Sequence, residues 1–461
     1  MVFSSLLFLF MFLPVFLGLY FLVPQKLKNL VLFIASLFFY AWGEPIYVLI
    51  MIFSTVLDYS CGLFIAHFRE HKWLPKMGLM VSIVANLSLL GFFKYSDFLV
   101  TTLNTTLGTH LSLLKLALPI GISFYTFQTM SYTIDLYRGK IQVQKNIISF
   151  GAYVAMFPQL IAGPIVTYAT VEKELNSRTT TWEKFGEGSL RFIEGLGKKV
   201  LIANNVGRLW ETVKGTAFHE LSLLGAWLGI IAFALQLYFD FSGYSDMAIG
   251  LGKMMGFHFP ENFNYPYISK SVSEFWRRWH ITLGSWFREY VYFPLGGSRV
   301  TKSRFYFNLI VVWFLTGFWH GAGWNFILWG LFFGILMIIE RRFLLRFLDR
   351  LPVLFSHLYL LVAVLISWVF FSLNNLTEAF QYLKVMFGFG KVGLLNTPFL
   401  YQLTNYVLIL MLALLLATPL MHRLKKRLPD GILYIFYMGI LLLSTAYLVD
   451  STFNPFLYFR F

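Results

Sequence analysis

Apolar positions in this chain fall in long, nearly unbroken runs, without the one-sided stripe of a surface helix or the alternation of a strand. A helix needs about 20 apolar residues to cross a bilayer core. Runs that meet or approach this length are Val2–Leu22, Ile46–Ile65, Met77–Phe93, Leu221–Phe239, Phe305–Phe318, Ile327–Ile339, Leu358–Phe371, Tyr406–Leu420 and Ile432–Leu448. With shorter and interrupted stretches included, the pattern predicts an all-α polytopic membrane protein of about eleven helices, some of them re-entrant or interfacial. No Ser/Gly/Pro linker or charged tract divides the runs, so residues 1–461 read as one membrane domain. No internal repeat of the transporter kind is visible. The longest polar interval, Thr167–Arg191, predicts a loop with a short surface helix.

Composition agrees with the pattern. Of 461 residues, 58% are hydrophobic and 13% charged, against about 25% charged in soluble domains. The net charge of +15 does not point to nucleic acid, because the cations sit in short clusters between apolar runs. Arg69/Lys72/Lys76, Arg341/Arg342/Arg346/Arg350 and Arg423/Lys425/Lys426/Arg427 follow the positive-inside pattern and would meet anionic membrane lipid. These loops are therefore assigned to the cytoplasm, which puts Met1 and Phe461 outside. The first run lacks a basic n-region and a small-residue cleavage site, and reads as a retained span. Cys61, the single cysteine, excludes an internal disulfide.

Gly250–Val300 is too polar to span, yet rich in aromatics. Within it Ser271–Trp286 predicts one helix at the interface or dipping into the protein, with Glu274 and Arg278 as an i,i+4 pair. An aromatic anchor at the interface would explain much of the same pattern.

Candidate chemistry concentrates in four places. His320 ends an apolar run in Phe318-Trp319-His320-Gly321-Ala322-Gly323-Trp324-Asn325. An imidazole at membrane depth, beside glycines that admit a backbone or an elongated substrate, suits a general base; a histidine packed between helices is the plain alternative. His280, in Trp276-Arg277-Arg278-Trp279-His280, would support it or polarise a carbonyl, or is simply interfacial. Arg277, Arg278 and Arg288 fit a donor phosphate or a lipid phosphate equally. Asp240 and Asp246, in Asp240-Phe-Ser-Gly-Tyr-Ser-Asp246, need partners at this depth, the three arginines being candidates; an ion-coupling site and a structural network both remain open. Phe157-Pro-Gln-Leu-Ile-Ala-Gly-Pro164 must break its helix and line a cavity or re-enter. Asp135 and Arg138 read as a helix-end ion pair. There is no P-loop, G-x-S-x-G elbow, H-E-x-x-H or cysteine–histidine cluster, so no metal site is expected.

Together, the His320 and His280 stretches, Asp240–Asp246 and Phe157–Pro164 resemble the membrane-bound O-acyltransferases, most closely their bacterial alginate O-acetyltransferase membrane subunits. The likeness runs from Met1-Val-Phe-Ser-Ser to Ser451-Thr-Phe-Asn-Pro-Phe-Leu-Tyr-Phe-Arg-Phe461. It implies helices ringed around a thin central region with a funnel or tunnel, which Trp319, Asn325, the arginines and the two aspartates would line. It implies His320 as the catalytic histidine and His280 as its partner. The donor would be a cytoplasmic acyl thioester, acetyl-coenzyme A or an acyl carrier protein, with no bound cofactor. The acceptor would be an extracytoplasmic glycan reached through a separate acetyltransferase outside the bacterial cytoplasmic membrane. The tail Phe456–Phe461 is similar to the Phe-x-Tyr-x-x-Phe ending of the small protein that accompanies the teichoic-acid relative, which would make Tyr458 an acyl carrier; an aromatic interfacial tail is the plain reading. D-alanyl transfer toward teichoic acid, and a transporter or channel without covalent chemistry, are the alternatives.

Overall fold

The computed structural model describes residues 1–161, 163–389, 393–450 and 453–455. Among these every regular element is helical. Six helices are long and apolar enough to cross a membrane: Val48–His67, Leu74–Leu107, Leu223–Met254, Val353–Ser372, Thr397–Leu416 and Asp430–Asp450. The chain is a multi-pass, all-α membrane protein. Internal packing divides it into two compact units, residues 1–193 with 244–260, and residues 194–243 with 261–461.

In the first unit α1 (Leu13–Leu22) and α2 (Lys28–Ala41) are joined by the turn at Pro24–Leu27. They are followed by α3 (Val48–His67), α4 (Leu74–Leu107) and α5 (Ile122–Tyr137). Serine, threonine and glutamine are buried along α5, and Asp58 of α3 is fully enclosed, its carboxylate accepting from Ser82 Oγ (2.5 Å) and Asn86 Nδ2 (2.8 and 3.0 Å) of α4. Next, α6 (Ile147–Ala155) stops at Met156, and α7 (Phe157–Leu160) restarts with Pro158 in its first turn, the break that the prolines imposed. At the end of α5, Lys140 Nζ lies 3.9 Å from Asp135 Oδ1.

The polar interval after α7 is more ordered than a loop with one short helix. It forms α8 (Tyr168–Asn176) and α9 (Trp182–Gly197). Close approach to the end of α11 (Leu223–Met254) explains the second helix: a Cβ at Gly188 would meet the Gly250 carbonyl at 2.6 Å, and one at Gly250 the Gly188 carbonyl at 2.5 Å.

In the second unit α9 runs into a π-helical turn, Lys198–Ala203, and then α10 (Asn204–Gly215). The expected interfacial helix is instead two short ones, α12 (Val272–Arg278) and α13 (Ile281–Phe287), broken at Trp279–His280. The break has a cause. Asn264 N donates to Arg278 O (2.9 Å) and Ile281 N to Asn262 O (3.0 Å), so a neighbouring segment takes the backbone groups that a continuous helix would use. Beyond these, α14 (Lys302–His320) and α15 (Trp324–Ile339) form a hairpin, and α17 (Val353–Ser372) follows the short α16 (Leu345–Leu348).

Candidate active site

His320 is the last residue of α14 and is 3% exposed. Its Nδ1 lies 2.7 Å from the carbonyl oxygen of Thr316, one turn earlier. A carbonyl only accepts, so Nδ1 carries a proton, and in the neutral ring Nε2 holds the lone pair. The ring packs against Trp329 (4.7 Å between centroids), Trp319 (5.0 Å) and Phe371 (5.7 Å).

The hairpin that holds it depends on glycine. A Cβ at Gly317 would run into the Phe326 carbonyl, and one at Gly330 into the Trp313 carbonyl. The space beside Gly321 is taken by the Phe326 ring and that beside Gly323 by Asn325. These glycines admit the chain's own α15, so the room left for a substrate lies elsewhere. Asn325 turns its amide to the end of α17, where Nδ2 donates to Phe370 O and Leu373 O, both at 3.1 Å. Two carbonyls left open by the last turn are thereby satisfied.

His280 occupies the break between α12 and α13 with φ +43°, a left-handed conformation rare for a residue with a Cβ. It is fully buried, with Phe241 at 4.7 Å and Trp319 at 6.3 Å between ring centroids. Trp319 thus contacts both histidines. Nδ1 of His280 is 3.2 Å from Asn262 Oδ1, which also accepts from Thr282 N (3.2 Å) and Thr282 Oγ1 (2.9 Å). The Thr282 N–H can only donate, so the atom it meets is the amide oxygen and His280 Nδ1 must donate as well. Both imidazoles therefore present Nε2 as the basic nitrogen. Burial, and after it the charge of His320, push the His280 pKa well below the usual imidazole value and keep the ring neutral. Asn262 was not singled out from the sequence, because an asparagine 18 residues away carries no local signal.

The three arginines part company. Arg278 is engaged within the fold: its guanidinium pairs with Glu274 (2.9 Å) as expected and donates to Asn264 O at 3.2 Å. Ser271 Oγ caps the same helix at Glu274 N (3.0 Å). The buried Glu340 carboxylate accepts from Val272 N (2.5 Å) and Ser273 N (3.1 Å), placing negative charge at the helix start. Arg277 and Arg288 are exposed and line a cavity of ≈ 320 Å³ with Trp276, Ser285 and Thr316. The Trp276 indole N–H is buried and has no hydrogen-bond partner among the described residues.

The aspartates pair with neither of the solvent-facing arginines. Asp240 Oδ1 meets Lys199 Nζ of the π-helical turn at 2.6 Å, both side chains 2% exposed. Lys199 Nζ also donates to the Pro455 carbonyl, and Asn204 Nδ2 to Asn454 Oδ1 at 3.2 Å, so the chain just before the tail is anchored on the same turn. Asp246, in the first unit, receives Nε (2.8 Å) and Nη2 (2.6 Å) of Arg191. Tyr458 lies outside the described residues.

Two buried imidazoles that contact one tryptophan, each with Nδ1 committed as a donor, have the parts for proton transfer. Residues 77–378 match the membrane-bound O-acyltransferase family, MBOAT. The chain belongs to that family and is an O-acyltransferase, which settles the class against the transporter reading. It is 46% identical over 394 residues to the probable alginate O-acetylase AlgI of Pseudomonas aeruginosa, covering 85% of this chain and 75% of that one. Against the peptidoglycan O-acetyltransferase of Helicobacter pylori it is 38% identical over 430 residues, 86% and 81% of the two chains. The teichoic acid D-alanyltransferase of Bacillus subtilis matches at 30% over 235 residues, 49% of this chain and 59% of the other.

Proposed function

We propose that this protein takes an acetyl group from a cytoplasmic thioester and passes it across the bacterial cytoplasmic membrane for O-acetylation of an extracytoplasmic polysaccharide. The observation that carries the chemistry is the shared tautomer of His320 and His280. Each commits Nδ1 as a donor, to Thr316 O and Asn262 Oδ1 respectively, and so keeps a basic Nε2. His320 Nε2 takes the proton of an attacking hydroxyl as its oxygen bonds to the thioester carbonyl carbon. The C–S bond then breaks, and the proton passes to the departing thiolate. His280, neutral and positioned by Asn262, supports the second imidazole. Arg277, Arg288 and the unsatisfied Trp276 N–H suit the phosphates and amides of a phosphopantetheine-type thioester, from coenzyme A or an acyl carrier protein. Names of the two relatives matched over more than four-fifths of this chain support acetyl as the cargo and a polysaccharide as the acceptor. A separate outer acetyltransferase would complete delivery.

In this scheme Tyr458 is the first acceptor. Phenol, with a pKa of about 10, forms an ester that remains reactive enough to pass the acyl group on. The residues just ahead of this tyrosine, Asn454 and Pro455, are hydrogen-bonded to Asn204 and Lys199.

The test is incubation of the purified protein with radiolabelled acetyl thioester. Label is expected on the wild-type chain, not on His320→Ala, and strongly reduced on Tyr458→Phe. A His320→Ala protein that elutes as wild type and labels equally well would remove His320 from the mechanism. Full polysaccharide acetylation in cells carrying Tyr458→Phe would end the relay.

A further inference from the structure

Away from His280 and His320, the first unit encloses two positive charges that no acid among the described residues balances. Arg178, in the turn between α8 and α9, is 6% exposed, and Lys28, the first residue of α2, is 7% exposed. Both lie over one ring: Lys28 Nζ is 5.0 Å from the Tyr20 centroid and Arg178 Cζ 5.5 Å. Phe257 stacks on the guanidinium at 4.5 Å. Every hydrogen-bond partner of the pair is neutral. Arg178 Nε donates to Tyr20 Oη (2.6 Å), and Nη1 donates to Asn29 Oδ1 (2.7 Å) and the Glu174 carbonyl (3.1 Å). Lys28 Nζ reaches Thr180 Oγ1 at 3.3 Å. The carboxylate of Glu174, one turn from Arg178, is occupied by the backbone N–H and the imidazole of His258. Arg178 Nη2 is buried and has no hydrogen-bond partner among the described residues.

Two like charges in a low-dielectric interior repel, and the aromatic faces do nothing for the empty edge of the guanidinium. Lys184, whose Nζ bonds to Thr179 O (3.3 Å), places a further cation at the exposed rim. An anion with several oxygens would satisfy Nη2 and Lys28 together, which no group among the described residues does.

The geometry points to an anion-binding site at Lys28–Arg178 that takes the phosphate of a phosphate ester carrying net negative charge, which the zwitterionic phosphatidylcholine headgroup does not. A phospholipid headgroup and a soluble phosphate share this chemistry, and the experiment separates them. Thermal unfolding of the full-length protein in neutral detergent is followed with phosphatidylglycerol, phosphatidylcholine or inorganic phosphate added. Phosphatidylglycerol alone raising the midpoint assigns the site to a lipid headgroup; inorganic phosphate also raising it assigns it to a soluble phosphate. Lys28→Gln is expected to weaken the response on the order of ten-fold in anion concentration, and Lys28→Arg to retain it. Without added anion, Lys28→Gln should melt no lower than wild type, because the substitution relieves repulsion. Equal stabilisation by phosphatidylcholine, no response to either anion, or an undiminished response in Lys28→Gln would overturn the site.

Discussion

Lys199 Nζ and Asp240 Oδ1 form an ion pair of 2.6 Å from which water is almost wholly excluded. Removing either partner strands the other charge in the interior, which costs about 3–5 kcal/mol. Asp240→Ala and Lys199→Ala are each expected to lower the yield of folded protein sharply, whereas Lys199→Met with Asp240→Leu should lose much less than the two single effects combined. Unfolding in mixed micelles gives the cycle; strict additivity would mean that the pair is not coupled.

Asn262 sets which nitrogen of His280 is basic. Replacing it with Leu leaves Nδ1 and the Thr282 donors without their acceptor, and acyl transfer should fall about ten-fold or more with little change in KM. Asn262→Asp tests the same point through pH. A carboxylate beside Nδ1 favours the imidazolium and raises the His280 pKa from its depressed value. The neutral ring is then lost at higher pH, so the acid limb of the kcat/KM profile should move up by about one unit. An unmoved limb would take His280 out of the proton-transfer steps.

The contact of Gly317 with Gly330 sets the separation of α14 and α15. Gly330→Leu cannot be fitted without moving α15, a change expected to cost about 1–3 kcal/mol or more and to displace His320 with it. Size-exclusion elution and acetyl-transfer assays on the same sample should show activity falling at least as far as folded yield. A variant with wild-type stability and turnover would contradict the packing.

Arg277 and Arg288 rim the cavity while Arg278 is held by Glu274 and Asn264. Arg277→Ala with Arg288→Ala should raise KM for a coenzyme A thioester about ten-fold or more and leave kcat nearly unchanged, with weaker dependence on salt in the double variant. Arg278→Ala should act on stability first. A lowered kcat with constant KM in the double variant would argue against donor binding by this pair.

Much of this was legible before any coordinate. Runs of apolar residues announce spans because lipid leaves the backbone no partner but itself. Pro158 breaks its helix wherever it stands, and Glu274 meets Arg278 because four residues make one turn. His320 was legible as a polar group at a depth where polarity is expensive. Less visible was anything that joins distant segments. The helix expected over Ser271–Trp286 is two helices because Asn262 and Asn264 capture backbone groups beside His280. The glycines around His320 left room for either a backbone or an elongated substrate, and it is α15 that fills it.

The sequence by itself determined that the chain lives in a membrane, which histidines stand out in it, and that a helix breaks ahead of Pro158. Those properties are local, set by the transfer cost of each residue and by the geometry of a single turn. Only the tertiary structure decided that Lys199 and Arg191 are the partners of the aspartates, that Asn262 meets His280, and that Arg277 and Arg288 line a cavity while Arg278 is held by Glu274 and Asn264. Such pairings depend on which faces meet when helices pack, and residues far apart in the chain leave no periodic trace of meeting.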